Sequence, residues 1–386
     1  EEVVDTCVEC GMCEPVCPSR LLTTTPRQRI VLLREVARQP PGSPLARAIL
    51  DDYSYDGEQT CAADGSCVHA CPVGIDTGKM IKQLRARESK QGGERLARHY
   101  AAAERVARAG LRAGGPIATR TKRGRGLPEA ARRLPDTERQ GAAAVYMPAC
   151  INRIFGNPRG SGRDLSLPQA IVVASARAEL PVWIPPDAPG HCCGTPWHSK
   201  GLFEGHKWMA THTAEALWRW SDEAKLPVLI DASSCANGLI AELPGSLEEP
   251  WRERLTSVEV IDSTQWAQRL LERLEVSRKL GSIAIHPTCS AKHLGLNHSL
   301  RRVAARLSEE VVVPPSAGCC GFAGDRGFLH PELTDAATAE EAAEIRGRRF
   351  DAHVSSNRTC EIGMERATGR SYESIFFVLE QLSREQ

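Results

Sequence analysis

Cysteine spacing sets the chemistry open to this chain. Cys7, Cys10, Cys13 and Cys17 follow one another with two, two and three residues between them, and Pro18 comes next. Three thiolates two residues apart can grip one iron–sulfur cube, and the fourth, with its proline, reaches across to a second. Pro18 ends the loop because it has no backbone N–H to donate. Structural zinc is the competing use of clustered cysteines, but such sites rarely string these spacings ahead of Cys-Pro.

The run recurs in register at Cys61, Cys67 and Cys71, with Asp64 where a second cysteine would stand. Paired runs exchange their fourth ligand. One [4Fe–4S] cluster is therefore expected on Cys7, Cys10, Cys13 and Cys71, and the other on Cys61, Cys67 and Cys17, with Asp64 facing its fourth iron. A carboxylate is a harder ligand than a thiolate and holds iron weakly. The second centre is then either a cube with one aspartate-ligated iron or a [3Fe–4S] cluster. A solvated Asp64 that touches no metal is the competing reading, and residue type alone leaves both open.

The other eight cysteines belong to an internal repeat. Ala144 to Cys150 matches Ile283 to Cys289, Cys192-Cys193-Gly194 matches Cys319-Cys320-Gly321, and Val228 to Cys235 matches His353 to Cys360. Short apolar runs alternate with helical stretches, which reads as α/β. Each cysteine falls just past the C-terminal end of a predicted strand, where open α/β sheets collect ligands. Adjacent cysteines can hold different irons of one cluster, and the following glycine lets the backbone approach closely. Cys150, Cys192, Cys193 and Cys235 are expected to hold a third cluster, and Cys289, Cys319, Cys320 and Cys360 a fourth. Zinc sites or buried reduced thiols are the alternatives. No cysteine lies outside the runs and the repeat.

The elements that must position these residues follow. Thr25-Pro26-Arg27-Gln28 opens a helix with a capping box and proline at its first position, and Gln39-Pro40-Pro41-Gly42 stops it. A second helix runs from Pro44 to Tyr53. The stretch 76–113 reads as helical, and from Arg95 to Arg133 it is strongly basic, including Lys122, Arg123 and Arg125, with Glu104 and Glu129 opposing. That segment reads either as a solvated face and linker or as a dock for anionic lipid or an acidic partner. The expected organisation is a helical two-cluster domain over 1–90, a basic helical linker over 91–140, and two pseudo-symmetric α/β Cys-Cys-Gly lobes over 141–280 and 281–386. The fold class is thus α+β in the first part and α/β in the lobes.

The chain has 386 residues and a formal net charge of +1, so no overall field points to nucleic acid or a membrane. Clustered cysteines argue for a reducing, cytoplasmic compartment. No apolar run approaches the ~20 residues a spanning helix needs. Because the chain begins with Glu1, it is expected to be processed or to be the C-terminal part of a longer polypeptide.

Taken together, these motifs carry a resemblance. The Cys-Cys-Gly repeat resembles the cysteine-rich domain of heterodisulfide reductase subunits and of the iron–sulfur subunits of glycolate, glycerol-3-phosphate and lactate oxidases. The closer resemblance is to the C-terminal half of respiratory FAD-dependent D-lactate dehydrogenases. It is carried by Cys7 to Arg29, by Cys61 to Ile75 including Asp64, by His286-Pro287-Thr288-Cys289, by Gly318 to Gly327, and by Ser356 to Gly363. It implies a ferredoxin-like two-cluster domain and electron transfer from FAD, held on a preceding domain or partner chain, to a quinone or cytochrome. It also implies D-lactate as substrate, and peripheral association with the cytoplasmic face of the membrane is consistent with it. No flavin fingerprint stands in a strand-to-helix context here. Heterodisulfide-reductase-like repeats end in Cys-x-x-Cys, whereas Ala232 and Asn357 occupy the extra positions here, which speaks for four-thiolate sites and against disulfide chemistry.

Several other residues have two readings. His191, His286 and His293 stand beside cysteines and read as loop residues or as hydrogen-bond and proton partners of a cluster. Asp325 and Arg326 read as a salt bridge that fixes the loop or as an anion site near the cluster, and the bridge is the expectation. Trp197, Trp208, Trp218 and Trp220 are expected to serve packing.

Overall fold

The computed structural model describes residues 6–88, 92–121, 124 and 126–384. The N-terminal helices form for the reasons legible in the chain. Pro26–Arg38 starts with a complete Thr25/Gln28 capping box and ends at Gln39, and Pro44–Tyr53 follows. A one-turn π-helix over Ser54–Gln59 then leads into the second run. Ile30, Tyr53, Cys61, Ile75, Met80 and Ile81 make a small separate core that seats both runs. The stretch 76–113 that reads as helical forms the helices Thr77–Glu88, Gly93–Arg98 and Tyr100–Ala118. Lys122, Arg123 and Arg125 of the basic segment lie outside the described residues.

From residue 144 onward the chain builds two parallel four-stranded sheets. The first comprises β1 (Ala144–Met147), β2 (Val182–Trp183), β3 (Val228–Ile230) and β4 (Val260–Asp262), in the order β2-β1-β3-β4. The second comprises β5 (Leu280–Ile285), β6 (Ser308–Val312), β7 (Ala352–Ser355) and β8 (Glu373–Ser374), in the order β6-β5-β7-β8. All six strand pairings are parallel, so both sheets have buried, apolar central strands. The outer strands β4 and β8 are additional to the three-strand repeat read from the sequence. Two- and three-residue strands such as Glu373–Ser374 carry no periodicity to detect.

One apolar core runs through both lobes. The C-terminal helix Ile375–Leu382 follows β8, yet Ile375, Phe376, Phe377, Val378, Leu379 and Leu382 belong to the same cluster as Ala170, Ile171 and Ala174 of the first lobe. Arg177 clips the two together by donating to Glu380 O at 3.0 Å. Trp197 and Trp220 are buried and serve the packing expected of them, whereas Trp208 and Trp218 are half-buried against the core. Among the described residues no helix is long and apolar enough to cross a membrane.

Candidate metal centres

The two N-terminal runs share a backbone as well as a spacing. Glu9 and Ala63 hold φ of 60° and 49°, and Gly11 and Gly65 hold φ of 80° and 77°. Positive φ at paired positions turns each loop the same way, so Asp64 occupies the backbone place of Cys10. Cys7, Cys10, Cys13 and Cys71 line one small pocket with Gly11, Arg27 and Ile75. Burial, with Cys71 and Cys7 nearby, pushes the Cys13 thiol up. The structure thus gathers the first expected ligand set.

Cys17, Cys61 and Cys67 are buried together a short way off. Arg29 is 1 % exposed and donates to Ser19 Oγ at 2.8 Å, Gly57 O at 2.8 Å and Cys17 Sγ at 3.7 Å. Burial works against its charge, but Cys61 and Cys17 beside it hold the guanidinium above its usual range. Burial, then Asp76, Cys61 and Asp64, pushes the Cys67 thiol up to about 12. Thiols held this high stay protonated until a metal displaces the proton. The Asp64 carboxylate takes a hydrogen bond from Ser66, lies within 4.8 Å of the sulfurs of Cys289 and Cys319, and also stands near enough to Cys67 to help raise that thiol.

In the first lobe the strand ends bring four thiols into a ring. Cys150 Sγ lies 3.5 Å from Cys192 Sγ, and Cys150 and Cys193 each take hydrogen bonds from Cys192 and Cys235. Those bonds lower Cys150 and Cys193 below the ordinary thiol range and raise their donors. The Tyr100 hydroxyl adds a further hydrogen bond to Cys150. Arg153 is the tie between loops. It donates to Pro148 O and His191 O, both at 2.6 Å, which joins the chain ahead of Cys150 to the chain ahead of Cys192. Its charge is met by buried Glu104 through two hydrogen bonds. Burial pushes the Glu104 carboxyl up and Arg153 counters it; with a guanidinium N–H on each oxygen, the pair is ionised. Glu104 therefore faces inward and does not offset the surface arginines. Asp231 accepts from Tyr146 Oη and Ala149 N, both at 2.6 Å, and anchors the same loop to β3.

In the second lobe the four sulfurs fall into pairs. Cys320 Sγ lies 3.4 Å from Cys360 Sγ, and Cys319 is hydrogen-bonded to Cys289. His286 shares the first pair's neighbourhood, with a ring nitrogen within 4.8 Å of both sulfurs, as Asp64 shares the second's. His286 is fully buried, and its Nδ1 lies 2.9 Å from both oxygens of buried Glu341. His293 bridges to the N-terminal domain, contacting the Asp64 carbonyl through Nε2 and the His69 ring, whose centroid is 4.6 Å away.

Some positions differ from expectation. Asp325 and Arg326 do not bridge each other: Asp325 pairs with Lys200 at 2.5 Å, and Arg326 donates to the carbonyls of Glu58 and Gln59 just ahead of Cys61. The side chains of neighbouring helix-end residues diverge, so each reaches a different loop. Arg85 completes the clamp, donating to Cys61 O at 2.8 Å and Ser199 O at 2.7 Å. Asn357, where a cysteine would end the repeat, accepts from Ser234 N at 3.0 Å, and Ser233 Oγ donates to Ser356 Oγ at 2.8 Å. The two lobes meet there. The roles of Arg29, Glu104, Arg153 and Glu341 were not legible in the sequence because no local pattern marks a charge that is satisfied by tertiary contacts.

Residues 3–75 match the 4Fe-4S dicluster domain, and residues 283–365 match the cysteine-rich domain. The chain is an iron–sulfur protein with a cysteine-rich domain. It is similar to the glycolate oxidase iron-sulfur subunit of Escherichia coli (strain K12), at 23% identity across 99% of this chain and 94% of that protein. It is also similar to lactate utilization protein A 1 of Bacillus mycoides (strain KBAB4), at 23% identity across 47% of this chain and 76% of that one.

Proposed function

We propose that the chain is the iron–sulfur electron-transfer module of an FAD-dependent D-2-hydroxyacid dehydrogenase, with D-lactate as substrate and a quinone or cytochrome as final acceptor. The observation that carries this reading is the gathering of cysteines from one chain into four groups: two in the N-terminal runs and one at the strand ends of each sheet. Cys7, Cys10, Cys13 and Cys71 would hold the first cluster, and Cys17, Cys61 and Cys67 the second, as a three-thiolate centre. Cys150, Cys192, Cys193 and Cys235 would hold the third, and Cys289, Cys319, Cys320 and Cys360 the fourth. When bound, such clusters carry single electrons, which a flavin reduced by hydride needs to pass on. The chain's own residues supply the rest. Arg29 places a buried positive charge beside Cys17 and Cys61, which favours the reduced state there. Arg153 holds two cysteine loops at a fixed spacing, and the shared core keeps both lobes in place. The flavin resides on a preceding domain or a partner chain, and the assembly works in the cytoplasm or peripherally on the inner face of the membrane.

Glycolate is the second reading, favoured by the Escherichia coli relative that matches nearly end to end. Anaerobic mixing of the chain with its flavin-bearing partner decides between them. D-Lactate should bleach the iron–sulfur absorbance faster than glycolate; bleaching by glycolate alone would move the assignment, and bleaching by neither would remove it. Metal analysis should give about 15 irons per chain, for one three-iron and three four-iron centres. About 7 irons with zinc, for one three-iron and one four-iron centre, would confine redox chemistry to the N-terminal domain.

A further inference from the structure

The helix Tyr100–Ala118 turns two unlike faces to its surroundings. Inward, Glu104 meets the charge of Arg153, and Gly115 is buried where an added carbon would meet Arg159. Outward lie Val106 and Ile117, 71 % and 69 % exposed. Eleven residues make about three turns, so these two stand in one line along the helix. Ala109, Gly110 and Ala113 lie between them on the same stripe and are exposed as well.

Arg105, Arg108 and Arg112 run along one side of the stripe, and Arg120 stands two residues past the helix end. Arg105 and Arg112 reach only backbone carbonyls, Ala101 O at 3.4 Å and Ala131 O at 3.5 Å. Among the described residues no carboxylate pairs with any of the four. Glu104 is the only acidic residue between Arg95 and Pro128, and it is turned inward and buried. The whole chain is close to neutral, but the charge on this face has one sign.

An exposed apolar stripe beside a row of unpaired arginines is the pattern of a helix that lies in a lipid–water interface. Arginine stems cover apolar surface there while their heads reach phosphate. An acidic protein would answer the arginines alone. A bilayer answers both features together: its headgroups meet the charges, and its acyl boundary takes Val106 and Ile117.

We propose that the outward face of Tyr100–Ala118 docks the protein on a bilayer surface rich in anionic lipid. The electron-transfer reading is not needed for this. On that reading, docking also orients the lobes. Tyr100, the first residue of the same helix, donates to Cys150, so the first lobe's ring of cysteines comes to the bilayer side, toward a lipid-dissolved acceptor.

Sedimentation of the full chain with vesicles tests the docking face. Binding is expected to mixed phosphatidylglycerol–phosphatidylcholine vesicles and not to phosphatidylcholine alone. It should be lost near 1 M salt, where the screening length falls to about 3 Å. Arg105→Gln and Arg112→Gln should each weaken the partition about fivefold. Val106→Ser with Ile117→Ser should weaken it too, at unchanged melting temperature. Arg47→Gln, at an exposed arginine of the helix Pro44–Tyr53, should leave it as it is. Equal binding to neutral vesicles, or equal loss in Arg47→Gln, would overturn the assignment of this face. Absence of binding would overturn it as well and leave the face to an acidic protein. No turnover is involved, so a negative result leaves the electron-transfer reading standing, and zinc in the lobes would leave the docking face standing.

Discussion

In the first lobe four thiols close a ring; in the second the same four chain positions form two pairs, each beside a donor that is not a thiol. The strand order and register are alike in both. The difference lies in what surrounds the strand ends. The first ring is closed over by the helix Tyr100–Ala118, which brings Tyr100 and Glu104. The second faces the N-terminal domain, which brings Asp64, and the helix Pro331–Arg346, which brings Glu341. A repeated sheet thus fixes where sulfurs go, while unrepeated neighbours decide what else reaches the metal. Both lobes reach the second run: Arg85 ties Cys61 O to Ser199 of the first, and His293 of the second contacts the Asp64 carbonyl.

The largest effect that could separate the lobes is expected at Glu104. Glu104→Ala leaves Arg153 buried and unpaired, which costs about 3–5 kcal/mol. Chemical denaturation should show that loss, and metal analysis of the folded fraction should show depletion of the first lobe's centre with the N-terminal clusters kept. Equal depletion of all centres would mean that the lobes load as one unit.

The glycines of the two Cys-Cys-Gly motifs offer a smaller contrast. Both hold positive φ, at 79° for Gly194 and 68° for Gly321, so alanine costs about 1–2 kcal/mol at either. At Gly194 the added carbon would also meet the His206 ring at 2.5 Å, whereas at Gly321 the nearest atoms are 3.1 Å away. Gly194→Ala should therefore lower the melting temperature clearly more than Gly321→Ala, by the equivalent of about 1–3 kcal/mol of overpacking. Asn357→Ala comes next. It removes the acceptor for Ser234 N between the lobes and should cost about 1–2 kcal/mol without loss of iron.

The sheets, the cysteine sets and the capped helices were legible because each rests on a local pattern: a period, a fixed spacing, or a Thr-Pro-x-Gln start. Asp64 shows where that stops. Its register in the run was readable, and the matching φ values at Ala63 and Glu9 bear out the register. Its closeness to Cys289 and Cys319 was not, because Cys289 lies 225 positions along the chain. His286 reads from the sequence as a neighbour of Cys289, but its buried partner Glu341 sits on a helix with no spacing relation to it. Where the helix Gly93–Arg98 begins, Gly92 holds a φ of 134° and a carbon added at Gly93 would meet Leu202 of the first lobe at 3.0 Å, contacts that no local pattern announces.

The gentlest comparison uses acid. His206 in the first lobe and His353 in the second are both buried with an unpartnered Nε2, and burial holds each at about 4, with His198 adding to the effect at His206 and Arg370 at His353. In the unfolded chain each would titrate near 6.5. Between about pH 6.5 and 4 the unfolded state binds more protons, so stability falls as pH falls through that window, by about 1 kcal/mol per histidine on going from 6.5 to 5.5. Above about pH 6.5 both forms are neutral and the effect vanishes. His206→Gln and His353→Gln should each flatten the pH slope of the melting temperature. Because Phe376 and Leu379 of the second lobe pack in the core of the first, both variants should act on a single transition, by similar amounts. Two transitions, each sensitive to only one of the variants, would show instead that the lobes melt separately and that the C-terminal helix is a strap and not a shared core.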